Sequence, residues 1–236
     1  MIFERRAYTM EPGHVPAFDK AQTDRGFDLV KPYMERLVGY FSTASGPVDQ
    51  VVHIYRYDSL DDWNVRLRGM YGVPELMPYF VNTRKIVRHQ VNGFFEPLPV
   101  DALNPLWGGG RDWLPGSGAK LGLRSEETLI EERSFQLRPG GVPAFVEACA
   151  AHGEKALTRV MGDRMIGAVM AMIGPLHNVL LWWWFQSPVD REARVAELGQ
   201  DRDWNDFLAQ IAPAMTDQST LLLTPRPVPE MSPLFL

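Results

Sequence analysis

Polar and aromatic residues that alternate along three predicted strands are the side chains best suited to chemistry. Residues 51–58 alternate as a β-strand, which places His53 and Tyr55 on one face. Histidine is the side chain best suited to acid or base catalysis near neutral pH, and a tyrosine hydroxyl can orient a ligand by hydrogen bonding. The candidate ligand-binding residues are Glu4, Arg6, Tyr8, Tyr40, His53, Tyr55 and Trp183. Three of them, His53, Tyr40 and Tyr55, are also the candidates for catalysis.

Glu4 and Arg6 have a second interpretation as a structural ion pair. The same two residue types recur as Glu131 and Arg133, and a buried charge is costly unless it is paired. A pair that appears in both copies could fix the position of a strand, or its charged groups could line a pocket. The sequence alone is compatible with both interpretations.

His53 has no polar counterpart in the second half of the chain. Its equivalent is Leu181, which is followed by Trp182, Trp183 and Trp184. A pocket with polar groups on one side and aromatic groups on the other would suit a planar apolar ligand with one polar end. The alternative is a packed aromatic core, which is the commoner use of aromatic side chains at strand spacing.

The equivalence of His53 and Leu181 follows from an internal repeat. Residues 12–18 read PGHVPAF and residues 139–145 read PGGVPAF, so six of seven positions are identical at an offset of 127. From Gly39 onward the offset is 128, as Gly46-Pro47 matches Gly174-Pro175. This register indicates a tandem duplication with one residue gained between the first and second strands.

Each copy is predicted to fold as β-α-β-β-α-β, the ferredoxin-like arrangement. Ser59 and Ser187 mark the start of the second helix, which we expect to be irregular or split near Gly69–Pro78 of the first copy. The predicted organisation is repeat 1 at 1–97, a Pro/Gly-rich linker at 98–129, repeat 2 at 130–226 and an extended tail at 227–236. An α+β fold follows, with two ferredoxin-like repeats packed sheet to sheet as an intramolecular barrel. The candidate residues would line one half of the space between the sheets.

Composition limits the classes of function. The chain has 236 residues, 45% hydrophobic and 22% charged, with a net charge of -5, which fits a globular protein and does not fit a nucleic-acid-binding one. The longest apolar run, 179–185, has seven residues, whereas a membrane span needs about 20. A single cysteine and a charged start favour the cytoplasm. No metal-binding or cofactor-binding motif is present, so neither a metal nor a cofactor is expected.

Residues 37–66, LVGYFSTASGPVDQVVHIYRYDSLDDWNVR, resemble the centre of the NIPSNAP domain, and residues 201–213, DRDWNDFLAQIAP, resemble its final helix. The resemblance covers both repeats. It implies the dimeric α+β barrel superfamily, with the barrel formed inside one chain, so that a homo-oligomer is not required. The superfamily includes cofactor-free monooxygenases, haem-dependent enzymes and small-molecule-binding proteins, and the resemblance transfers no catalytic residues.

Three functions are compatible with these residues. The first is the binding of a small apolar or aromatic molecule between the sheets. The second is a cofactor-independent oxygenase or isomerase that acts on an aromatic or polyketide-like substrate, which requires His53 to face an accessible pocket. The third is a protein-interaction module that uses Trp107 and Trp113 of the linker, or the proline-rich tail, as a partner site.

Overall fold

Both repeats are present in the computed structural model, which describes residues 1–122 and 125–235. The first repeat contains the strands β1 (Ile2–Met10), β2 (Leu37–Ser45), β3 (Gln50–Tyr57) and β4 (Val87–Pro97), and the helices α1 (Val15–Arg25), α2 (Lys31–Met34), α3 (Leu60–Tyr71) and α4 (Met77–Ile86). The second repeat contains the strands β5 (Leu129–Leu137), β6 (Met165–Ile173), β7 (Asn178–Phe185) and β8 (Met215–Pro225), and the helices α5 (Gly141–Ala148), α6 (Glu154–Val160), α7 (Pro188–Gln200) and α8 (Arg202–Ile211). The predicted α+β class with two ferredoxin-like repeats is confirmed.

The described chain divides into two units. The first unit comprises residues 1–94 with the described parts of 114–124 and 224–236, and the second comprises 95–113 and the described part of 125–223. The predicted linker is thus shared between the units, because its first half packs with the second repeat.

The second helix of each repeat begins at a capping box. Ser59 Oγ accepts a hydrogen bond from the Asp62 backbone N–H at 3.1 Å, and the Asp62 carboxylate accepts one from the Asp58 N–H at 3.1 Å. Ser187 Oγ accepts the Asp190 N–H at 3.2 Å in the same way. Each serine occupies an extended backbone position just before the helix, where its side chain satisfies an otherwise unpaired N–H.

The second helical segment is split in both repeats, whereas the sequence predicted a split only in the first. In the first repeat a 3-10 helix, Pro74–Leu76, separates α3 from α4. In the second repeat α7 ends at Gln200, and Asp201 caps α8 by accepting the Trp204 N–H at 3.0 Å. Gly199, the residue before the last one of α7, and the capping Asp201 together mark this second break, because glycine weakens a helix and a capping aspartate begins a new one.

The first unit has the strand order β4-β1-β3-β2. β1 is antiparallel to β3, and β2 is antiparallel to β3 on its other side. The register places Arg6 opposite His53 and Glu4 opposite Tyr55, and it places Tyr40 on the other side of His53. His53 therefore lies between two polar neighbours on the central strands of the sheet.

The second unit has the equivalent order β8-β5-β7-β6. Here Arg133 is opposite Leu181 and Glu131 is opposite Trp183, which confirms the alignment of the two repeats at these strands. A π-helical turn, Cys149–Gly153, follows α5. It lies in the segment where the repeat offset changes from 127 to 128, and such a turn accommodates one extra residue in a helix.

The predicted linker places two tryptophans inside the second unit. Trp107 and Trp113 are both buried, and the Trp107 indole N–H donates to the Trp113 carbonyl at 2.9 Å. Trp107 packs closely on β6, where a Cβ at Gly167 would come within 3.1 Å of the indole ring. The absence of a side chain at Gly167 thus makes room for the tryptophan.

The tail residues pack within the first unit. Pro229–Met231 form a 3-10 helix, and the side chains of Met231, Leu234 and Phe235 are buried. The prolines of the tail predicted an extended segment, and its apolar side chains are buried because burial stabilises them more than hydration does.

The apolar run 179–185 lies in β7, a strand in which every residue is buried. Among the helices that the structure describes, none is both long enough and apolar enough to cross a bilayer.

Candidate functional site

The six candidate residues of the first unit share one face of its sheet, as the alternation predicted. This face is directed at the helices of the same unit: the Phe18 ring of α1 lies 5.8 Å from the Tyr8 ring and 6.4 Å from the His53 ring. The expectation that these side chains point toward another sheet is therefore not met. Both faces of the sheet are buried, since Phe3 and Val52 on the opposite face are also inaccessible, and burial alone could not indicate a direction.

Glu4 and Arg6 form a buried, two-pronged ion pair. Arg6 Nε donates to Glu4 Oε1 at 3.0 Å, and Arg6 Nη2 donates to Glu4 Oε2 at 2.6 Å. The Asn92 side-chain amide also donates to Glu4. Arg6 Nη1 donates to the Tyr8 hydroxyl at 3.2 Å, and the guanidinium lies over the Tyr55 ring. Glu4 is fully buried, so this pairing is what makes its charge tolerable.

His53 lies at the centre of an aromatic cluster. Its ring makes edge contacts with Tyr40 at 4.8 Å and with Tyr8 at 5.4 Å between ring centroids. Only 4% of its surface is exposed. Burial, together with the positive charges of Arg6 and Arg25, holds the pKa of His53 well below its ordinary value. The imidazole is therefore neutral near pH 7.

The two ring nitrogens of His53 differ in their partners. Nδ1 lies 3.4 Å from the Tyr55 hydroxyl. Nε2 is buried and has no hydrogen-bond partner within the described part of the chain. A buried polar atom without a partner costs about 1–3 kcal/mol, so a native structure retains one chiefly where a water or a ligand completes it.

His53 lines a cavity of about 90 Å³ between the sheet and the helices. Side chains that line its interior include Arg6, Tyr8, Phe18, Gln22, His53 and Tyr55. Gln22 contributes a second unpartnered atom, since its Oε1 is buried without a described partner while its Nε2 donates to the Tyr79 hydroxyl at 2.8 Å. Exposed lining residues, among them Tyr71 and Arg84, mark the open side of the cavity.

The tyrosines of the cavity remain protonated at neutral pH. Burial raises the pKa of Tyr79 to about 12 and raises the pKa values of Tyr8 and Tyr55 as well. Each hydroxyl can therefore donate a hydrogen bond as well as accept one. The site thus combines neutral donors with a neutral imidazole.

Tyr40 belongs to a separate network beside the cavity. Its hydroxyl donates to Asp19 Oδ1 at 2.6 Å, and Asp19 also accepts hydrogen bonds from Arg226, which stands at the start of the tail. Burial, followed by the hydrogen bond to Asp19, raises the pKa of Tyr40. This network holds one side of the His53 ring in place, and Tyr40 does not line the cavity.

Trp183 is the candidate that the structure places elsewhere. It is fully buried in the core of the second unit, where the Arg133 guanidinium lies over its ring at 4.8 Å. Phe135, Phe145 and Phe207 pack in the same core with edge-to-face contacts. Trp183 therefore belongs to the packed aromatic core that the sequence offered as the alternative.

Sequence reasoning did not identify the helical side of the cavity. Phe18, Gln22 and Arg25 recur at intervals of four and three residues on α1, so they share one face of the helix. A glutamine within the stripe that also carries Phe18 is the signal that could have identified it. No group of three or more acidic, histidine or cysteine side chains that could hold a metal ion occurs in the described residues.

Comparison with known proteins gives consistent results for both repeats. The NIPSNAP family model matches residues 3–100 and 130–229. The chain is 21% identical to Protein NipSnap homolog 2 from Danio rerio, across 95% of this chain and 72% of that protein.

Several solved structures resemble the chain over almost its whole length, and two of them serve as examples. One is a candidate monooxygenase from Lactobacillus acidophilus NCFM, with a TM-score of 0.60 and 8% identity over 94% of this chain and 92% of that one. The other is an anthrone oxidase-like protein, with a TM-score of 0.54 and 13% identity over 95% and 91%. At such low identity these likenesses show the fold alone, whereas the family match covers both repeats: the chain belongs to the NIPSNAP family.

Proposed function

We propose that the first repeat binds a small molecule with a planar apolar body and a polar end, in the cavity beside His53. The observation that carries the proposal is the pair of unpartnered buried atoms, His53 Nε2 and Gln22 Oε1, which line the same cavity. Apolar surfaces from Phe18 and Tyr8 lie beside them. A few convergent polar groups in an otherwise apolar concavity are typical of ligand sites.

The size of the cavity limits the ligand. A volume of about 90 Å³ is below the range of drug-sized sites, which begin near 300 Å³. A groove of about 320 Å³ on the outer side of Tyr79 and Arg25 shares these two residues with the cavity. A single-ring molecule is thus the expected class, and rotation of Tyr79 or Arg25 would join the two spaces for a larger one.

Binding can be tested by giving the first repeat the residues of the second. The double variant Tyr8→Phe/His53→Leu reproduces Phe135 and Leu181 and removes polar groups from the cavity. We expect chemical-shift perturbations from phenol, benzamide and benzoate, at millimolar concentration, to disappear in this variant. The control is Tyr57→Phe, which removes a buried hydroxyl that does not line the cavity and should leave binding intact. Equal binding by both variants, or none by the native protein, would refute the proposal.

A cofactor-independent oxygenase or isomerase is the second candidate. The observation that favours it is the neutral imidazole of His53 with its unpartnered Nε2. In the tautomer that carries its proton on Nδ1, beside the Tyr55 hydroxyl, Nε2 can accept a proton from a bound carbon acid. The measurement is exchange of an acidic C–H of a bound aromatic ketone with deuterated solvent. Exchange should depend on His53 and should be lost in His53→Gln, whereas persistence in that variant would exclude His53 as the base.

A further inference from the structure

The charged residues that line the cavity are all of one sign. Arg6, Arg25 and Arg84 contribute guanidinium groups to its wall, and none of the described residues that line it is an aspartate or a glutamate. Glu4 lies behind Arg6 and neutralises it through two hydrogen bonds. Two cationic groups, Arg25 and Arg84, are left without a carboxylate partner among the described residues.

Arg25 and Arg84 are held by aromatic rings rather than by acids. The Arg25 guanidinium lies 4.8 Å from the centroid of Tyr79, and Arg84 lies 5.7 Å from Tyr71 and 5.8 Å from Phe80. Contact with an aromatic face orients a guanidinium without using its N–H donors. Arg25 Nε donates to the Gly26 carbonyl at 3.1 Å and its Nη2 donates to Met231 Sδ at 3.9 Å, so the two N–H groups of Nη1 remain for an anion. Both residues belong to helices that cover the sheet, Arg25 to the last turn of α1 and Arg84 to that of α4.

We propose that the ligand of this cavity is an organic anion, a carboxylate or a comparably delocalised oxyanion on a small planar ring, and that Arg25 and Arg84 recognise its charge. The inference rests on the proposed function. The ring of the ligand would occupy the apolar part of the cavity near Phe18. The guanidinium groups of Arg25 and Arg84 would donate hydrogen bonds to its anionic end. The unpartnered Nε2 of His53 can add a hydrogen bond to the ligand, and the two arginines supply the positive charge.

The second repeat supports the assignment by what it lacks. At the repeat offsets of 127 and 128, Arg25 corresponds to His152 and Arg84 corresponds to Ala212. The positions equivalent to the cavity wall are filled by the aromatic core around Phe207. The two arginines thus accompany the cavity, and the fold does not require them.

The test compares two probes of nearly the same shape, benzoate and benzamide, by titration calorimetry or by NMR. We expect benzoate to bind more tightly than benzamide, and we expect its affinity to fall as salt is added. The double variant Arg25→Met/Arg84→Met should weaken the affinity for benzoate about tenfold or more, which corresponds to about 1.4 kcal/mol or more of binding free energy. The same variant should leave the affinity for benzamide almost unchanged. Arg25→Lys/Arg84→Lys should retain most of the preference for benzoate. Arg68→Met, an exposed arginine of α3 outside the cavity, is the matched control.

The outcomes separate the two proposals. Equal affinity for the two probes, with no effect of the methionine variant, would overturn the anionic ligand and leave the binding cavity standing. Failure of both probes to bind the native protein at millimolar concentration would overturn both proposals. Weaker benzoate binding in Arg68→Met as well would assign the effect to the net charge of the protein and overturn the role of Arg25 and Arg84.

Discussion

The two repeats share strand order, helix caps and an ion pair, yet they use the layer between sheet and helices differently. In the first repeat this layer holds a cavity with unpartnered polar atoms. In the second it is filled by a continuous apolar core. The residue pairs at the repeat offsets are Tyr8 and Phe135, Gln22 and Cys149, Tyr40 and Ala168, His53 and Leu181, Tyr55 and Trp183, and Tyr79 and Phe207.

This comparison separates what the fold requires from what the first repeat adds. The ion pair occurs in both, since Glu131 accepts hydrogen bonds from Arg133 at 2.7 Å and from Arg191 at 2.7 Å, and Glu4 accepts them from Arg6. The tyrosines, the glutamine and the histidine are not required, because apolar residues occupy their positions in the second repeat without loss of the fold. The polar lining of the first repeat therefore calls for a functional explanation.

The ion pair provides the largest expected effect. Glu4→Ala leaves Arg6 buried without its partner, and Glu131→Ala does the same to Arg133. We expect each variant to lose about 3–5 kcal/mol of the free energy of unfolding. Urea denaturation followed by circular dichroism measures it. Glu4→Leu/Arg6→Met should recover most of the loss, and a loss below about 1 kcal/mol in either single variant would show that the pair is not a shared structural requirement.

The loss of an aromatic ring should reduce stability more in the filled layer of the second repeat than in the cavity-containing layer of the first. Phe207 is fully buried against Phe145 and Trp204, so Phe207→Ala should cost about 3–5 kcal/mol of unfolding free energy. Tyr79 lies between the cavity and the outer groove. Tyr79→Ala should therefore cost less than half as much, since part of its ring has no packed neighbours to lose. Equal costs in thermal or urea unfolding would contradict the distinction between the layers.

The neutral state of His53 predicts a dependence of stability on pH. Its folded pKa is lowered, so the unfolded chain, with an ordinary value near 6.5, binds a proton that the folded chain does not. The contribution is present above pH 6.5 and is lost as the pH falls below it, with a slope that approaches about 1.4 kcal/mol per pH unit. His53→Leu should remove this slope between pH 7 and pH 5, whereas His14→Leu, at an exposed turn, should keep it.

The titratable and charged groups that face His53 are arginines and tyrosines. They are Arg6 and Tyr8 of β1, Tyr40 of β2, Tyr55 of β3, Arg25 of α1 and Tyr79 of α4. Arginine and tyrosine side chains change charge far above pH 7. An unchanged slope in His53→Leu would therefore mean that His53 is protonated in the folded protein.

The smallest expected effect concerns the helix caps, at which the two repeats should behave alike. Ser59→Ala and Ser187→Ala each remove the hydroxyl that caps a helix, and each should cost about 1 kcal/mol of unfolding free energy. The corresponding threonine variants should retain most of the stability. Costs that differ by more than about 1 kcal/mol would show that the two capping boxes contribute unequally to the free energy of unfolding.

Much of the fold follows from local patterns. The β-α-β-β-α-β order, the caps at Ser59 and Ser187 and the strand at 179–185 depend on neighbours within a few residues, and all are present. Alternation also predicted that Arg6, His53 and Tyr40 share one face, because neighbouring strands bring them side by side. The break between α7 and α8 was missed, since one glycine and one capping aspartate, Gly199 and Asp201, form only a weak signature between two helical stripes.

The site was only partly predictable for the same physical reason. Its strand residues were identified by their spacing of two, but Gln22, Arg25 and Tyr79 come from helices that are distant in sequence. Trp183 was expected with them and lies in another core. Its aromatic type is equally suited to a pocket wall and to packing, and only the surroundings distinguish the two.

The sequence by itself determined the family, the duplication and the set of residues that share the central strands, because these depend on residue order and on a strand period of two. The tertiary structure decided which layer covers that set. Because both faces of the sheet are buried, the hydrophobicity of the strand residues does not show which face the helices cover. The path of the helices places Gln22 and Arg25 beside His53. Which polar atoms remain without a partner is likewise decided by packing, since it depends on every neighbour at once.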